Sequence, residues 1–212
     1  MKDSQGDPRG VSRRGFLTGT GAAAAAVAGL TAELAPPAAA QPPTGAPALG
    51  PAPVVLELTV NGKKVVTKVE PRVTLLDALR NHLDVAGNYL DVTGCKRVCD
   101  RGTCGACTVT LNGRTVYSCT TLALEARGAD VKTAESLGLG RLDPVPAAFA
   151  DNDAQQCGFC TPGFVVSMRA AFDKNPNATP EQIEAALSGN ICRCGTYEQM
   201  RHAIVQLCRK GG

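Results

Sequence analysis

Four cysteines lie close together in the sequence CDRGTCGACTVTLNGRTVYSC, which begins at Cys99 and ends at Cys119. Cys99, Cys104 and Cys107 follow the pattern C-x4-C-x2-C, and Cys119 follows at a distance. Thiols grouped in this way can form disulfides, hold zinc or anchor a redox cofactor. The spacing is that of plant-type [2Fe–2S] sites, in which a wrapped loop supplies three thiolates and a strand end supplies the fourth. The loop's two glycines let the backbone pass close to such a cluster, where N–H groups can donate to sulfur.

A second group of thiols follows as Cys157-x2-Cys160 and Cys192-x-Cys194, at the boundaries of predicted helices. The combination of C-x2-C with C-x-C also suits tetrahedral zinc, which is the main alternative for this group taken alone. Because the group shares its chain with a loop of iron–sulfur spacing, we favour a second iron–sulfur site.

The N-terminus has the features of a twin-arginine export signal in their usual order. Arg13 and Arg14 precede Phe-Leu, an Ala/Gly-rich apolar stretch follows, and residues 38–40 form a small-x-small cleavage site. We predict a signal peptide over residues 1–40, a Pro-rich linker over 41–53 and a periplasmic destination, with an Ala-rich tail as the alternative. The apolar stretch is too short for a good membrane span. Twin-arginine substrates fold in the cytoplasm, where thiols stay reduced, so disulfides become less favoured.

The composition sets limits on size and function. The 212 residues suffice for one large domain or two small ones, and 44% hydrophobic residues allow a packed core. A net charge of +3, without a basic run interleaved with aromatics, argues against nucleic-acid binding. We find no general base, nucleophile or phosphate loop in the sequence, so no catalytic residue is predicted. His82 and His202 are not placed for Rieske-type ligation.

Residues 54–133 predict a small α+β domain. VVLELTV alternates as a half-buried strand, and Asn61-Gly62 predicts a tight hairpin turn into the returning strand KKVVTKV. Thr74 is predicted to cap a helix with Asp77 at its third position. After the cysteine loop, CTVTL and RTVYSC form a second hairpin, and DVKTAE predicts a short last strand. This order suits a sheet that grips one helix.

Residues 142–210 change to helical periodicity and predict four helices with short connections, which form a small bundle. The predicted helix starts are at Asp143-Pro144, Thr161-Pro162, Thr179-Pro180 and Thr196. The third start carries a capping box, because Gln182 follows Thr179 at the third position. Gly189 is predicted to end that helix.

The motifs CDRGTCGACTV, QCGFCTPG and GNICRCGTY together resemble the small iron–sulfur subunit of the molybdenum hydroxylases, the xanthine oxidase and aldehyde oxidoreductase family. The resemblance covers about residues 54–210. With the twin-arginine signal, the sequence is most similar to the iron–sulfur subunit of a periplasmic aldehyde oxidoreductase. The resemblance implies fold class α+β, with an N-terminal β-grasp, plant-type ferredoxin-like domain followed by an all-α, four-helix [2Fe–2S]-binding bundle.

The resemblance also implies roles for individual residues. It assigns two [2Fe–2S] clusters, with Cys99, Cys104, Cys107 and Cys119 as metal ligands of the first, and Cys157, Cys160, Cys192 and Cys194 as metal ligands of the second. It implies that Gln156 and Cys194 approach the molybdopterin bound by a partner.

Several positions depart from the family pattern. Val98 stands where relatives commonly have Gly, and Gly195-Thr196 stands where several have Thr-Gly. Cys95 and Cys208 have no ligand role in the pattern. We expect Cys208 to be a buried core thiol, and Cys95 to be a spare thiol in a loop that faces a partner.

The function implied by the resemblance is electron transfer within a molybdenum-dependent aldehyde oxidoreductase or hydroxylase complex. Electrons would leave a molybdopterin centre on a large partner subunit and pass through both clusters to an FAD-binding subunit or a c-type cytochrome with its haem. The twin-arginine translocase is a further implied partner. Three alternatives stay open: the iron–sulfur subunit of an N-heterocycle or purine hydroxylase, a free two-cluster electron carrier, and a non-redox zinc or disulfide module.

Overall fold

The computed structural model describes residues 49–83 and 91–210, which belong to one unit of the chain. The predicted signal peptide over residues 1–40 and most of the predicted linker lie outside the described residues. Among the described helices, none combines the length and apolar character that crossing a membrane requires.

The first half of the described chain contains a mixed five-stranded sheet with strand order β2-β1-β5-β3-β4. Its strands are β1 (Val54–Val60), β2 (Lys63–Val69), β3 (Thr108–Leu111), β4 (Arg114–Tyr117) and β5 (Asp130–Lys132). The pairs β1/β2, β3/β4 and β3/β5 are antiparallel, and β1 runs parallel to β5. The predicted last strand is confirmed only for its first three residues, because the chain turns into a 3-10 helix at Ala134–Gly138.

Both predicted hairpin turns are confirmed. Asn61 and Gly62 have φ of 50° and 82°, and Asn112 and Gly113 have φ of 49° and 79°, as a two-residue turn between twisted strands requires. Asn61 does more than turn the chain. Its side chain accepts a 2.9 Å hydrogen bond from the Thr133 backbone N–H and donates a 2.8 Å bond to the Thr133 hydroxyl, which fixes the end of β5.

The predicted helix under the sheet is confirmed, with an unexpected geometry. It comprises an α-helical turn, Leu75–Asp77, and a π-helical continuation, Ala78–His82, which we call α1 together. Thr74 caps it by accepting a 3.1 Å hydrogen bond from the Asp77 backbone N–H. Four leucines of α1 and its C-cap lie in the core at 0% exposure: Leu75, Leu76, Leu79 and Leu83.

The second half of the described chain contains four α-helices, α2 (Pro144–Asp151), α3 (Thr161–Lys174), α4 (Pro180–Ala186) and α5 (Tyr197–Lys210). Asp143 caps α2 by accepting from the Val145 backbone N–H at 2.8 Å. The capping box of Thr179 and Gln182 is present at α4, as predicted. These helices enclose an apolar core that contains Phe149, Phe164, Met168, Phe172 and Ile204.

The prediction that Gly189 ends the third helix is wrong. Helix α4 ends at Ala186 with Leu187 as its C-cap, and Gly189 is not among the residues with positive φ. A glycine is required there for a different reason. A Cβ at this position would overlap the Tyr117 hydroxyl, which donates a 3.1 Å hydrogen bond to the Gly189 carbonyl oxygen.

Candidate metal centres

The first group of thiols lies on the loop between α1 and β3 and just beyond the end of β4. Cys107 and Cys119 are buried, at 3% and 5% exposure, whereas Cys99 and Cys104 are half-buried. A 3.0 Å hydrogen bond from the Lys96 backbone N–H to the Ala106 carbonyl oxygen joins the two limbs of the loop. The structure therefore brings the four predicted thiols of this site to one place, with one side towards solvent.

Backbone N–H groups of the loop point at two of these sulfurs. Gly102 donates to Cys119 Sγ at 3.3 Å, and Thr103 donates to Cys99 Sγ at 3.4 Å. Burial opposes ionisation of Cys99, yet hydrogen bonds from Thr103 and Arg101 hold the pKa of this thiol at about 6. Burial raises the pKa of Cys119 to about 11. The loop thus stabilises negative charge on sulfur at its exposed end.

The second group of thiols lies at helix boundaries, as predicted. Cys160 is the N-cap of α3 and is half-buried, and Cys157 before it is exposed. Cys192 and Cys194 lie between α4 and α5, and Cys192 is buried at 6% exposure.

Two hydroxyl groups surround Cys192. Its backbone N–H donates to the Tyr197 hydroxyl at 2.8 Å, and its sulfur lies 3.3 Å from the Thr196 hydroxyl. Burial works against ionisation of Cys192, but hydrogen bonds from Thr196 prevail and lower the pKa of the thiol to about 7. Burial and the neighbouring Cys192 raise the pKa of Cys160 to about 12.

The thiols of each site approach one another in pairs. The pairs within hydrogen-bonding reach are Cys99 with Cys104, Cys107 with Cys119, Cys157 with Cys194 and Cys160 with Cys192. Two pairs suit two irons with two thiolates each, whereas zinc draws four ligands to one point. The donor sets therefore fit a [2Fe–2S] cluster at each site better than a zinc ion.

The two sites are joined by direct contacts between the two halves. The Ile191 backbone N–H donates to the Cys104 carbonyl oxygen at 3.0 Å, which links a thiol residue of the first site to the residue before Cys192. The Asn190 amide donates to the Gly105 carbonyl oxygen at 3.0 Å and accepts from the Ser167 hydroxyl at 2.9 Å.

Glycines permit the close approach of the halves. A Cβ on Gly163 of α3 would overlap the Gly105 carbonyl oxygen. A Cβ on Gly105 itself, where φ is +70°, would lie 2.5 Å from the Asn190 side-chain nitrogen. Both glycines are therefore needed where the first thiol loop meets the helical half.

The remaining predicted positions are distributed as follows. Gln156 is exposed next to Cys157. Cys208 is half-buried rather than fully buried, and its thiol donates to the Ala178 carbonyl oxygen at 3.4 Å. Cys95 was expected to be a spare thiol in a loop that faces a partner, and its own side chain points into the protein. It is buried at 1% exposure, and burial together with the charge of Glu135 raises the pKa of this thiol to about 12.

Sequence reasoning missed residues whose roles depend on distant partners. Asn190 and Tyr117 join the two halves, and no local pattern marks them. Glu135 was also missed. Its carboxylate accepts from the Thr93 and Gly94 backbone N–H groups at 2.8 and 2.6 Å, and so anchors the segment that enters the first thiol loop.

Comparison with protein families identifies both halves. Residues 58–137 match the family described as 2Fe-2S iron-sulfur cluster binding domain, and residues 133–205 match the family described as [2Fe-2S] binding domain. The fold and the two thiol sites thus define an iron–sulfur protein with two [2Fe–2S] domains.

Similar proteins narrow this class further. The nicotine 6-hydroxylase small subunit of Paenarthrobacter nicotinovorans is 41% identical over 72% of this chain and 88% of that protein. The aldehyde oxidoreductase iron-sulfur-binding subunit PaoA of Escherichia coli K12 is 41% identical over 74% of each chain. The chain belongs to this family, the small iron–sulfur subunits of the molybdenum hydroxylases. Its relatives are iron–sulfur subunits of oxidoreductase complexes.

Solved structures agree with this assignment. A chain of quinoline 2-oxidoreductase from Pseudomonas putida 86 has a TM-score of 0.66 and 37% identity, over 76% of this chain and 98% of that chain. The aldehyde oxidoreductase of Desulfovibrio desulfuricans has a TM-score of 0.66 and 36% identity over 74% of this chain, which spans 17% of that longer chain.

Proposed function

We propose that this chain is the electron-transfer subunit of a molybdenum-dependent aldehyde oxidoreductase or hydroxylase complex. It would carry electrons from a molybdopterin centre on a large partner subunit to a flavin or haem acceptor on a further partner. The observation that carries the proposal is the 3.0 Å hydrogen bond from Ile191 to Cys104, which connects two paired-thiol sites through a short stretch of backbone.

In this proposal the eight paired cysteines are the metal ligands of two [2Fe–2S] clusters, which accept and release one electron at a time when bound. The chain's own residues hold the clusters in place and stabilise their charge. Gly102 and Thr103 donate backbone hydrogen bonds to sulfur at the first site. Asn190 and Tyr117 fix the distance between the sites, because each bridges the two halves.

Exposed apolar side chains near both sites support a large protein partner. Val98, Phe159, Ile191 and Tyr197 are 53%, 51%, 53% and 49% exposed, and each lies within three residues of a proposed ligand. Large exposed apolar groups clustered at a functional site are typical of interaction surfaces. We assign this surface to the molybdopterin-binding subunit, with exposed Gln156 and half-buried Cys194 directed towards the pterin.

The resemblance to this family also supports a proposal for the domain boundaries and the N-terminal signal. We propose a ferredoxin-like β-grasp domain over residues 54–133 and a four-helix [2Fe–2S] bundle over 142–210. We further propose that residues 1–40 are a twin-arginine signal, that 41–53 are a linker and that the protein is exported folded to the periplasm. If partners without a signal travel with this chain, replacing Arg13 and Arg14 with Lys leaves activity in the cytoplasm, and continued export of the large subunit contradicts the idea.

A hydroxylase of N-heterocycles is the second candidate within this class. The likeness to the nicotine 6-hydroxylase small subunit supports it as strongly as the likeness to PaoA supports an aldehyde oxidoreductase. Assays of the purified complex with aldehydes and with N-heterocycles separate the two candidates.

The central test is to produce the full chain with its large partner subunit and to measure iron, acid-labile sulfide and electron paramagnetic resonance (EPR) after full reduction. Two distinct [2Fe–2S] signals are expected. Replacing Cys104 with Ser should alter one signal and replacing Cys192 with Ser the other, whereas Cys208→Ser, a matched control outside both sites, should alter neither. A colourless protein without iron, or a single signal, contradicts the proposal.

A further inference from the structure

The hydroxyl group of Thr196 lies in the protein interior beside one sulfur of the second site. Thr196 is 2% exposed and Cys192 is 6% exposed. The Thr196 hydroxyl oxygen lies 3.3 Å from Cys192 Sγ and 3.4 Å from the Ala154 carbonyl oxygen. These are the two acceptors that compete for its proton among the described residues.

The distances and the chemistry of the acceptors decide where the proton points. Hydroxyl-to-carbonyl hydrogen bonds are typically about 2.5–3.0 Å long, so 3.4 Å to Ala154 is a weak contact. Sulfur is larger, and 3.3 Å is a normal hydrogen-bond distance to it. A metal-bound sulfur is a thiolate and can only accept. The hydroxyl of Thr196 therefore donates to Cys192 Sγ.

A donor at this position acts differently on the two redox states. Reduction adds negative charge to a cluster, and hydrogen bonds to its sulfurs stabilise the added charge. The effect is large where water is excluded, since the local dielectric is low and no solvent molecule can replace a lost donor. We propose that the buried Thr196 hydroxyl is a redox-tuning donor that raises the reduction potential of the second cluster. This inference rests on the proposed electron-transfer function.

The first site offers a contrast. Its sulfur donors include the backbone N–H groups of Gly102 and Thr103, and the Thr103 side chain also reaches Cys99. Thr103 is exposed, so water can replace its hydroxyl when the side chain is truncated. Thr196 has no such replacement. The two threonines therefore form a matched pair that differs in burial.

The experiment compares Thr196→Val with Thr196→Ser in the full chain, purified with its partner subunits. Val keeps the branched shape and removes the hydroxyl, whereas Ser keeps the hydroxyl. EPR-monitored redox titration gives the potential of each cluster, and Cys104→Ser assigns the signals to the sites. In Thr196→Val we expect the reduction potential of the second cluster to fall. At a given potential, the ratio of reduced second cluster to reduced first cluster should then drop several-fold to tenfold. Tenfold corresponds to about 59 mV for one electron.

The first cluster is the internal reference and should keep its potential in both Thr196 variants. Thr196→Ser should retain the wild-type potential at the second cluster, and Thr103→Val should change the first cluster by less than Thr196→Val changes the second. If Val at position 196 prevents cluster insertion, Thr196→Ala gives the same comparison with a smaller side chain.

The outcomes separate the two proposals. Loaded clusters with an unchanged second potential in the variant without the hydroxyl overturn the role of Thr196 and leave the electron-transfer function intact. A shift in Thr196→Ser as large as that in Thr196→Val overturns it as well, because shape rather than the hydroxyl is then responsible. Absence of two cluster signals in the wild-type protein overturns the proposed function itself.

Discussion

The side-chain amide of Asn190 donates a 3.0 Å hydrogen bond to the carbonyl oxygen of Gly105, 85 residues earlier in the chain. Gly105 lies between two proposed ligands of the first site, and Asn190 lies two residues before a proposed ligand of the second. Asn190 is 7% exposed and also accepts from Ser167, so it is a satisfied buried polar group. This single side chain thus couples the geometry of both thiol sites.

Replacing Asn190 with Ala should destabilise the protein by about 1–3 kcal/mol, because the buried Ser167 hydroxyl loses its acceptor and a cavity opens beside Gly105. The loop of the first site also loses its packing contact with Asn190, so the iron content of the protein should fall as well. Urea midpoints and iron analysis measure both effects. Asn177→Ala, at an exposed position before α4, is the control and should stay within about 0.5 kcal/mol of wild type. An equal effect of both substitutions would refute the coupling role.

Replacing Gly105 with Ala should destabilise the protein by more than the backbone strain of a positive φ alone. Gly113 has φ of +79° with nothing within 4 Å of an added Cβ, whereas at Gly105, with φ of +70°, the Cβ meets Asn190 at 2.5 Å and the Gly189 carbonyl oxygen at 2.6 Å. Gly113→Ala therefore reports the backbone strain alone, roughly 1–2 kcal/mol. Gly105→Ala should lower the free energy of unfolding by more than Gly113→Ala does. It should also weaken the visible absorbance of the first site. Equal loss of stability in the two variants argues that the junction is not tightly packed.

Tyr117 and Gly189 should behave as an interacting pair. Tyr117→Phe removes the 3.1 Å hydrogen bond to the Gly189 carbonyl oxygen and should cost about 0.5–1.5 kcal/mol. Gly189→Ala should be far more damaging, because the new Cβ overlaps the Tyr117 hydroxyl. In the double variant this hydroxyl is absent. We expect the double variant to be more stable than the sum of the single effects predicts, by about 0.5–3 kcal/mol.

A double-mutant cycle on thermal or urea unfolding measures this coupling. Strict additivity of the two substitutions contradicts the contact between the Tyr117 hydroxyl and Gly189.

Cys95 should respond to alkaline pH in a specific direction. Burial and the charge of Glu135 raise the pKa of this thiol from 9.0 to about 12. The unfolded chain releases the proton above about pH 9, and the folded chain retains it until about pH 12. The contribution of Cys95 to stability is therefore complete below pH 9 and is lost as the pH rises from 9 to 12.

Two measurements check this behaviour. Alkylation of Cys95 in the folded protein should be slow at about pH 9, where roughly one thiol in a thousand is ionised. The urea midpoint of wild type should decline more steeply between neutral pH and about pH 10.5 than that of Cys95→Ala. Rapid labelling of Cys95 at neutral pH is the result that contradicts a buried, protonated thiol.

Sequence patterns predicted the elements whose cause is local. The turns at Asn61 and Asn112 and the caps at Thr74, Asp143 and Thr179 depend on residues within three positions, so the sequence reveals them directly. Thiol spacing likewise predicted that Cys99, Cys104 and Cys107 lie close together, because a short loop limits how far apart its residues can lie.

The relationships between the two halves could not be predicted in this way. Gly189 was interpreted as a helix end because glycine is common there, whereas its actual requirement is set by Tyr117 from the other half. The location of Cys95 likewise depends on the packing of the sheet and α1. Such contacts join residues that are distant in the sequence, and single-chain patterns do not encode them.

The contact of Gly105 with Asn190 and Gly163 also bears on how the protein is made. The loop that ends at Cys107 is synthesised on the order of ten seconds before Asn190, at about 5–20 residues per second. During that interval the loop lacks its packing contacts with Asn190 and Gly163 of the helical half. We therefore expect the first thiol loop to reach its final geometry only when translation is nearly complete, together with the helical half.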